Sequence, residues 1–161
     1  MEPSNKDGKI VLDHLGIAVP SLAEAVKLYE DILGLKVSGY EVIPEEKTRV
    51  AMLPVGDSRI ELMEPLETSE SSETRERKEP KEPNKPQEPN SPIARFLAKH
   101  GPGLHHICLR VPDLAAAVAR LQQNGVKLVN PEPGVGAGGH RYVFVHPSSA
   151  GGVLLELVQA P

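Results

Sequence analysis

The chain writes one stretch twice. Leu12-Asp13-His14-Leu15-Gly16-Ile17-Ala18-Val19-Pro20 returns as Leu104-His105-His106-Ile107-Cys108-Leu109-Arg110-Val111-Pro112, an offset of 92 residues. The same offset aligns Leu22 with Leu114 and Val26 with Val118. Allowing for loops of slightly different length, Leu35-Lys36-Val37 matches Val126-Lys127-Leu128, and Ile60-Glu61-Leu62-Met63 matches Leu155-Glu156-Leu157-Val158. Each copy has a histidine near its start and a glutamate near its end, separated by 47 residues in the first copy and 50 in the second. A fold for this chain must therefore be two units of one topology related by an approximate twofold axis.

The first copy reads as β-α-β-β-β. Residues 9–19 are rich in Ile, Val and Leu and form a strand that Pro20 ends, since proline has no N–H for a ladder. Ser21 with Glu24 three residues on makes a capping box. Leu22, Ala25, Val26, Tyr29, Ile32 and Leu33 then keep helical spacing, which predicts an amphipathic helix over 21–33 closed by Gly34. Strands follow at 35–43, 49–55 and 59–63, with a turn at Gly56-Asp57-Ser58. The second copy opens with a short helix over 92–100, stopped by Gly101-Pro102-Gly103. A strand at 104–111, a helix capped by Asp113 and running to Gln123, and strands at 126–129, 141–145 and 153–158 complete it, with a Pro/Gly-rich loop at 130–139. The expected class is α+β: a first βαβββ module at 9–66 and a second at 92–161, joined into one domain. Neither can bury a curved four-stranded sheet alone, so they pair and enclose a shared cleft.

Between them, 67–91 contains no aliphatic or aromatic side chain, and prolines fall at 80, 83, 86 and 89. That three-residue period matches polyproline II, and the segment is expected to be a solvated, partly extended and partly disordered insert. Elsewhere composition mainly excludes. A hydrophobic fraction of 39% sustains a core, and 3% aromatics make it aliphatic. The net charge of −4 argues against a broad nucleic-acid footprint, while leaving room for a local basic pocket for an anionic ligand. One cysteine, Cys108, permits no internal disulfide and fits a reducing compartment; on an apolar strand it reads as a buried small hydrophobe rather than a nucleophile. Met1 to Lys9 is polar and unlike a secretory signal, and no apolar run reaches the roughly 20 residues of a membrane span. The expectation is a cytoplasmic protein with no membrane partner.

A histidine in an apolar strand is by itself more often a satisfied core residue than a ligand. A carboxylate inside Ile60-Glu61-Leu62-Met63 is costly unless it faces solvent or a partner. Recurrence changes the weighing, because both residue types return at the same place in the second copy. A pseudo-twofold would bring His14, Glu61, His106 and Glu156 onto the inner faces of the paired sheets. Two imidazoles and two carboxylates suit a first-row divalent ion with positions left for water or substrate. Of the remaining histidines, His105 alternates with His106 and is expected on the opposite face. His146 reads as either cleft mouth or turn, His100 as the cation closing a helix, and His140 stays ambiguous. The run Gly134-Val135-Gly136-Ala137-Gly138-Gly139 follows a proline in a loop and precedes a strand, so it is no dinucleotide fingerprint. It is either a loop that closes over a ligand or a flexible connection.

At Asp13-His14-Leu15-Gly16-Ile17-Ala18-Val19, Pro54-Val55-Gly56, Ile60-Glu61-Leu62-Met63-Glu64-Pro65-Leu66, Ser91-Pro92-Ile93-Ala94-Arg95-Phe96-Leu97, Gly103-Leu104-His105-His106-Ile107 and Gly151-Gly152-Val153-Leu154-Leu155-Glu156-Leu157 the chain resembles the vicinal-oxygen-chelate (glyoxalase/bleomycin-resistance) superfamily, and within it the methylmalonyl-CoA epimerase family. The resemblance spans 10–159 except 67–90. It implies a glyoxalase-like fold, an ion held by His14, Glu61, His106 and Glu156, a homodimer, an acyl-CoA substrate, and epimerisation at C2 of methylmalonyl-CoA by 1,1-proton transfer through a metal-stabilised enolate. Co2+ is the implied ion, with Mn2+, Ni2+ and Zn2+ as alternatives. The long insert departs from the family. So does Val50, where some members carry a glutamate proposed as acid/base; Val50 cannot move a proton. Glu61 and Glu156, one from each module, are then the expected catalytic pair, with Glu45 or Glu46 next in line. Alternatives of the same superfamily are a glyoxalase I-type lactoylglutathione lyase and a non-catalytic small-molecule-binding protein, the latter disfavoured by retention of all four polar positions.

Overall fold

The computed structural model describes residues 8–66, 91–136 and 139–160; the expectation for the Pro/Glu/Lys-rich insert falls almost wholly outside them. In the first copy, β1 (Val11–Ala18) leads into α1 (Leu22–Lys27), whose Ser21 hydroxyl accepts from the Glu24 N–H at 3.4 Å. Then come β2 (Gly39–Ile43), β3 (Thr48–Val55) and β4 (Ser58–Pro65). Next is α2 (Pro92–His100), capped by the Ser91 hydroxyl, which accepts from the Ala94 N–H at 3.0 Å. The second copy is β5 (Gly103–Arg110), α3 (Leu114–Gln123), β6 (Gly134–Val135), β7 (Arg141–Val145) and β8 (Leu154–Gln159), with Asp113 Oδ1 accepting from the Ala116 N–H at 2.8 Å to cap α3.

All eight strands form one mixed sheet in the order β2-β3-β4-β1-β5-β8-β7-β6, which reads the same from either end once the copies are exchanged. The copies meet along the antiparallel pair β1–β5, and each central strand is flanked by its own module's last strand, parallel in both cases. The α+β class and the two βαβββ units stand as read from the duplication.

Alternation along the strands sorts the side chains. Ile17, Ile60 and Leu62 face α1, where they pack with Val19, Leu22, Val26, Ala51 and Leu53. Leu109, Leu155, Leu157 and Val143 pack likewise with Val111, Leu114, Ala117 and Val118 of the second copy. Helix α2 follows the insert in sequence but packs on the first copy, setting Ile93, Phe96 and Leu97 against Ala18, Val50 and Met63. That helix covers one end of the sheet's other face, and the rest of that face lines a cleft.

Three local expectations are corrected. The helix expected over 21–33 is α-helical only to Lys27; at Leu28–Ile32 it widens to an i→i+5 turn, with the Leu33 N–H donating to Leu28 C=O at 3.1 Å. That widening rotates Ile32 and Leu33 out of the apolar face, leaving them 75% and 61% exposed. The strand expected over 35–43 pairs only from Gly39, because Leu35 and Val37 pack on the α1 cluster instead of joining a ladder. At 126–129 only Leu128 makes a bridge, to Val145, and the edge strand β6 comes from the glycine-rich loop.

Candidate active site

Along β4, Arg59, Glu61 and Met63 point away from α1; along β8, Leu154, Glu156 and Val158 point away from α3; all six line a cavity of about 600 Å³ on the inner face of the sheet. A strand with core on one side and cleft on the other explains glutamates among aliphatic neighbours: the apolar residues serve the helices, the alternate ones the cavity. His14, His106, Met52, Tyr142 and Phe144 complete the floor and walls.

The four duplicated residues converge. His14 Nε2 and His106 Nε2 are 3.0 Å apart. Glu61 Oε2 lies 3.6 Å from the first and 3.7 Å from the second, and Glu156 Oε2 lies 3.6 Å and 3.4 Å from the same atoms. Donors held about 2.1 Å from one ion stand about 3.0 Å apart at right angles and about 3.4 Å apart at tetrahedral corners. The ligand atoms of His14, His106 and Glu156 all lie within 4.8 Å of one another, close enough to serve one divalent ion, and Glu61 Oε2 reaches the same two imidazoles.

The seats beneath the imidazoles follow the pseudo-twofold. Gly16 pairs with His106 on one side and Glu61 on the other, and Cys108 pairs with His14 and Glu156 in the same way. A Cβ at Gly16 would collide with the His106 ring. Cys108 is fully buried and burial pushes its thiol up to about 12, so it stays a neutral thiol beside His14 rather than a nucleophile.

Charge in the site is uneven. Burial alone would lower His14, but Asp13, Cys108, Glu156 and Glu61 raise it to about 12. Burial lowers His106 to about 3, helped by His14 and His105. The pair thus carries one positive charge, on His14, whose Nδ1–H donates to Asp13 Oδ1 at 2.8 Å. Burial lifts Glu61 to about 7, with His14 opposing and Glu156 and Glu46 adding to it.

His105 is corrected: it lines the cavity beside His106, their Nδ1 atoms 3.0 Å apart, instead of facing the opposite side. His140 lines the cavity too, whereas His100 lies on Phe96 with ring centroids 4.9 Å apart. His146 closes a turn, its Nδ1 accepting from the Ser148 N–H at 3.1 Å. Gly136 of the glycine-rich loop reaches the cavity wall. Val50 is sealed from the cleft, 1% exposed in the cluster with Ile93. Of the two reserve carboxylates Glu46 lines the cavity, carried by the short turn Pro44–Glu46 between β2 and β3. Sequence reasoning passed over Asp13, Arg59 and Arg110. Asp13 is 1% exposed and paired with both arginines, its carboxyl held well below the usual range against a burial effect that would raise it. The one signal was that 13 and 105 are polar positions related by the same offset as the histidines, and strand alternation assigns both to the opposite face.

Comparison with known proteins gives the family. The profile of the glyoxalase/bleomycin resistance protein/dioxygenase superfamily matches residues 13–144. The mitochondrial methylmalonyl-CoA epimerase of Homo sapiens is 36% identical over 150 residues, 92% of this chain and 73% of that protein. The crystal structure of methylmalonyl-CoA epimerase from Mycobacterium tuberculosis is 38% identical with a TM-score of 0.73, covering 93% of this chain and 87% of that one. A methylmalonyl-CoA epimerase solved in complex with methylmalonyl-CoA and NH4+ is 32% identical with a TM-score of 0.72, over 92% and 93% of the two chains.

Proposed function

The chain belongs to the glyoxalase/bleomycin resistance protein/dioxygenase superfamily and, within it, to the methylmalonyl-CoA epimerases, and from that membership we propose that it interconverts (2R)- and (2S)-methylmalonyl-CoA. The observation that carries the reading is the convergence of His14, Glu61, His106 and Glu156 at the floor of an open cleft of about 600 Å³. A divalent ion held by these four, Co2+ in our reading with Mn2+, Ni2+ or Zn2+ as alternatives, would act as a Lewis acid on the negative charge that develops when C2 is deprotonated.

The rest falls to the chain's own groups. Inversion at C2 requires one group to take the proton from one face and another to return a proton to the opposite face, with no net change in protons. Glu61 and Glu156 enter the cavity from opposite modules, so one carboxylate can serve each face of C2. Met52, Met63 and Phe144 supply apolar walls that limit water around the reacting carbon. The acyl-CoA class of ligand is supported by the relative solved with methylmalonyl-CoA. We also propose a homodimer and a cytoplasmic setting; exposed Ile32 and Leu33 support the first, free Cys108 the second. Among the described residues no helix is long and apolar enough to cross a membrane.

The test follows C2 of each methylmalonyl-CoA epimer in heavy water, beside methylglyoxal with glutathione. Exchange and epimerisation with the first alone is expected. Turnover of the second alone would replace this reading with lactoylglutathione chemistry, and turnover of neither would leave a binding protein.

A further inference from the structure

In a regular strand the residue before His14 and the residue before His106 would point to the far side of the sheet. They do not, and the register of the β1–β5 seam shows why. Leu12 pairs with Leu109 and His14 with Cys108, so Asp13 is stepped over; Gly16 pairs with His106 and Ile17 with Leu104, so His105 is stepped over. Each central strand has a β-bulge at the residue preceding its histidine, and a bulge re-aims the extra side chain. Both bulged side chains end against a histidine ring: Asp13 Oδ1 is 2.8 Å from His14 Nδ1, and His105 Nδ1 is 3.0 Å from His106 Nδ1.

We propose that Asp13 and His105 are positioning residues, delivered by twin bulges, that occupy the Nδ1 of His14 and His106 so that both Nε2 atoms are turned to the centre of the cleft. This deepens the proposed function and rests on its reading of the two histidines as ligands. With Nδ1–H committed to Asp13, His14 can offer a lone pair only from Nε2. If His106 is to do the same, its Nδ1–H must donate to His105 Nδ1, which fixes His105 with its proton on Nε2. In the ion-free protein, with a second proton on His14 Nε2, the four groups form one hydrogen-bonded row across the pseudo-twofold, Asp13–His14–His106–His105, with spacings of 2.8, 3.0 and 3.0 Å; a bound ion would take the place of that central proton.

Each end of the row is fastened. The Arg110 Nε–H donates to Asp13 Oδ2 at 2.7 Å, Arg110 Nη2 reaches the same oxygen, and Arg59 Nη2 pairs with Oδ1. His105 lies edge-on to Phe96 of α2, centroids 5.0 Å apart. The two ends differ in kind: an ionised carboxylate backs His14, a neutral imidazole backs His106. A charged acceptor holds its donor more tightly than a neutral one, so Asp13 is the stronger of the two positioners.

Titrating metal-free protein with Co2+ alone tests this. Asp13→Asn should weaken binding by about 10–100-fold. His105→Leu should weaken it less, and His105→Asn, whose amide oxygen stands where Nδ1 stood, should restore much of the loss. Nitrogen-15 NMR of the metal-free variants should show the His14 Nδ1–H resonance moving upfield in Asp13→Asn, where a neutral acceptor replaces a charged one, and His106 shifting its proton towards Nε2 in His105→Leu but not in His105→Asn. Folded variants with native Co2+ affinity and unchanged imidazole resonances would overturn the proposal. If Asp13→Asn does not fold, the two His105 variants decide it. Failure of the native chain to bind any divalent ion would sink the ligand reading, while the imidazole resonances would still judge the hydrogen-bonded row.

Discussion

Gly16 stands beneath the His106 ring, and the absence of a side chain there lets the imidazole lie flat across the seam. Gly16→Ala should therefore displace His106 and lower Co2+ affinity by at least about tenfold, with an overpacking cost of about 1–3 kcal/mol in stability; calorimetric titration and thermal melting check both. A second expectation concerns protons. Without an ion the two Nε2 atoms 3.0 Å apart share one proton, on His14. Glu61, raised to about 7, is ionised at pH 8 and protonated well below 7. An incoming cation competes with those protons, so binding should release about one at pH 8 and about two at pH 5.5, and apparent affinity should rise with pH more steeply below 7 than above. Calorimetry in buffers of differing ionisation enthalpy measures the count; affinity flat in pH would contradict it. The four ligand candidates were legible because the chain repeats them. Asp13 and His105 were not, since period-two alternation assigns them to the opposite face and a bulge in the seam reverses that.

Among the elements, α2 and the β2–β3 turn decide which carboxylates can act. Ile93 of α2 covers Val50, so the cleft has no proton-transfer group there, and the turn Pro44–Glu46 presents Glu46 to the cavity instead. Glu61→Gln keeps an oxygen for an ion but cannot carry a proton; if Glu61 is a base, the variant retains Co2+ and loses about 10²–10⁴-fold in turnover. If its turnover is near native, Glu46→Gln should show that loss instead. Near-native turnover of Glu156→Gln would end the two-carboxylate mechanism. The capping residues Ser21 and Asp113 set the helix starts as the sequence implies. The end of the first helix misled, because Ile32 and Leu33 satisfy helical spacing that the wide turn at Leu28–Ile32 breaks. The second copy's edge strand was missed for the opposite reason: Gly134 and Val135 lack the β-branched run that marks a strand, and pairing with Tyr142 and Arg141 forms it anyway.

At the scale of the molecule, the insert joins points that the fold already holds together. Met63 and Ile93, on either side of it, share one buried cluster, so a short connection can bridge them. Deleting residues 68–88 should leave turnover within about twofold of native and, by shortening the closed loop, stabilise the fold by about 1–2 kcal/mol. That corresponds to a Tm higher by about 2–8 °C. Loss of activity with the fold intact would mean that the segment reaches the cleft or a partner. The architecture itself was legible from the duplication, because two equivalent units with one apolar face each have few ways to share a sheet.

The antiparallel seam carries one more consequence. The candidate ion site belongs to neither half alone: the seam assembles it from β1 and β4 on one side and β5 and β8 on the other. A chain severed within the insert would become two polypeptides, each with half a binding site and a central strand open along one edge. They should recombine when mixed, α2 docking on the first piece, and a divalent ion should act as the glue. At a thousandfold excess over its dissociation constant, the ion would add about 4 kcal/mol to their association.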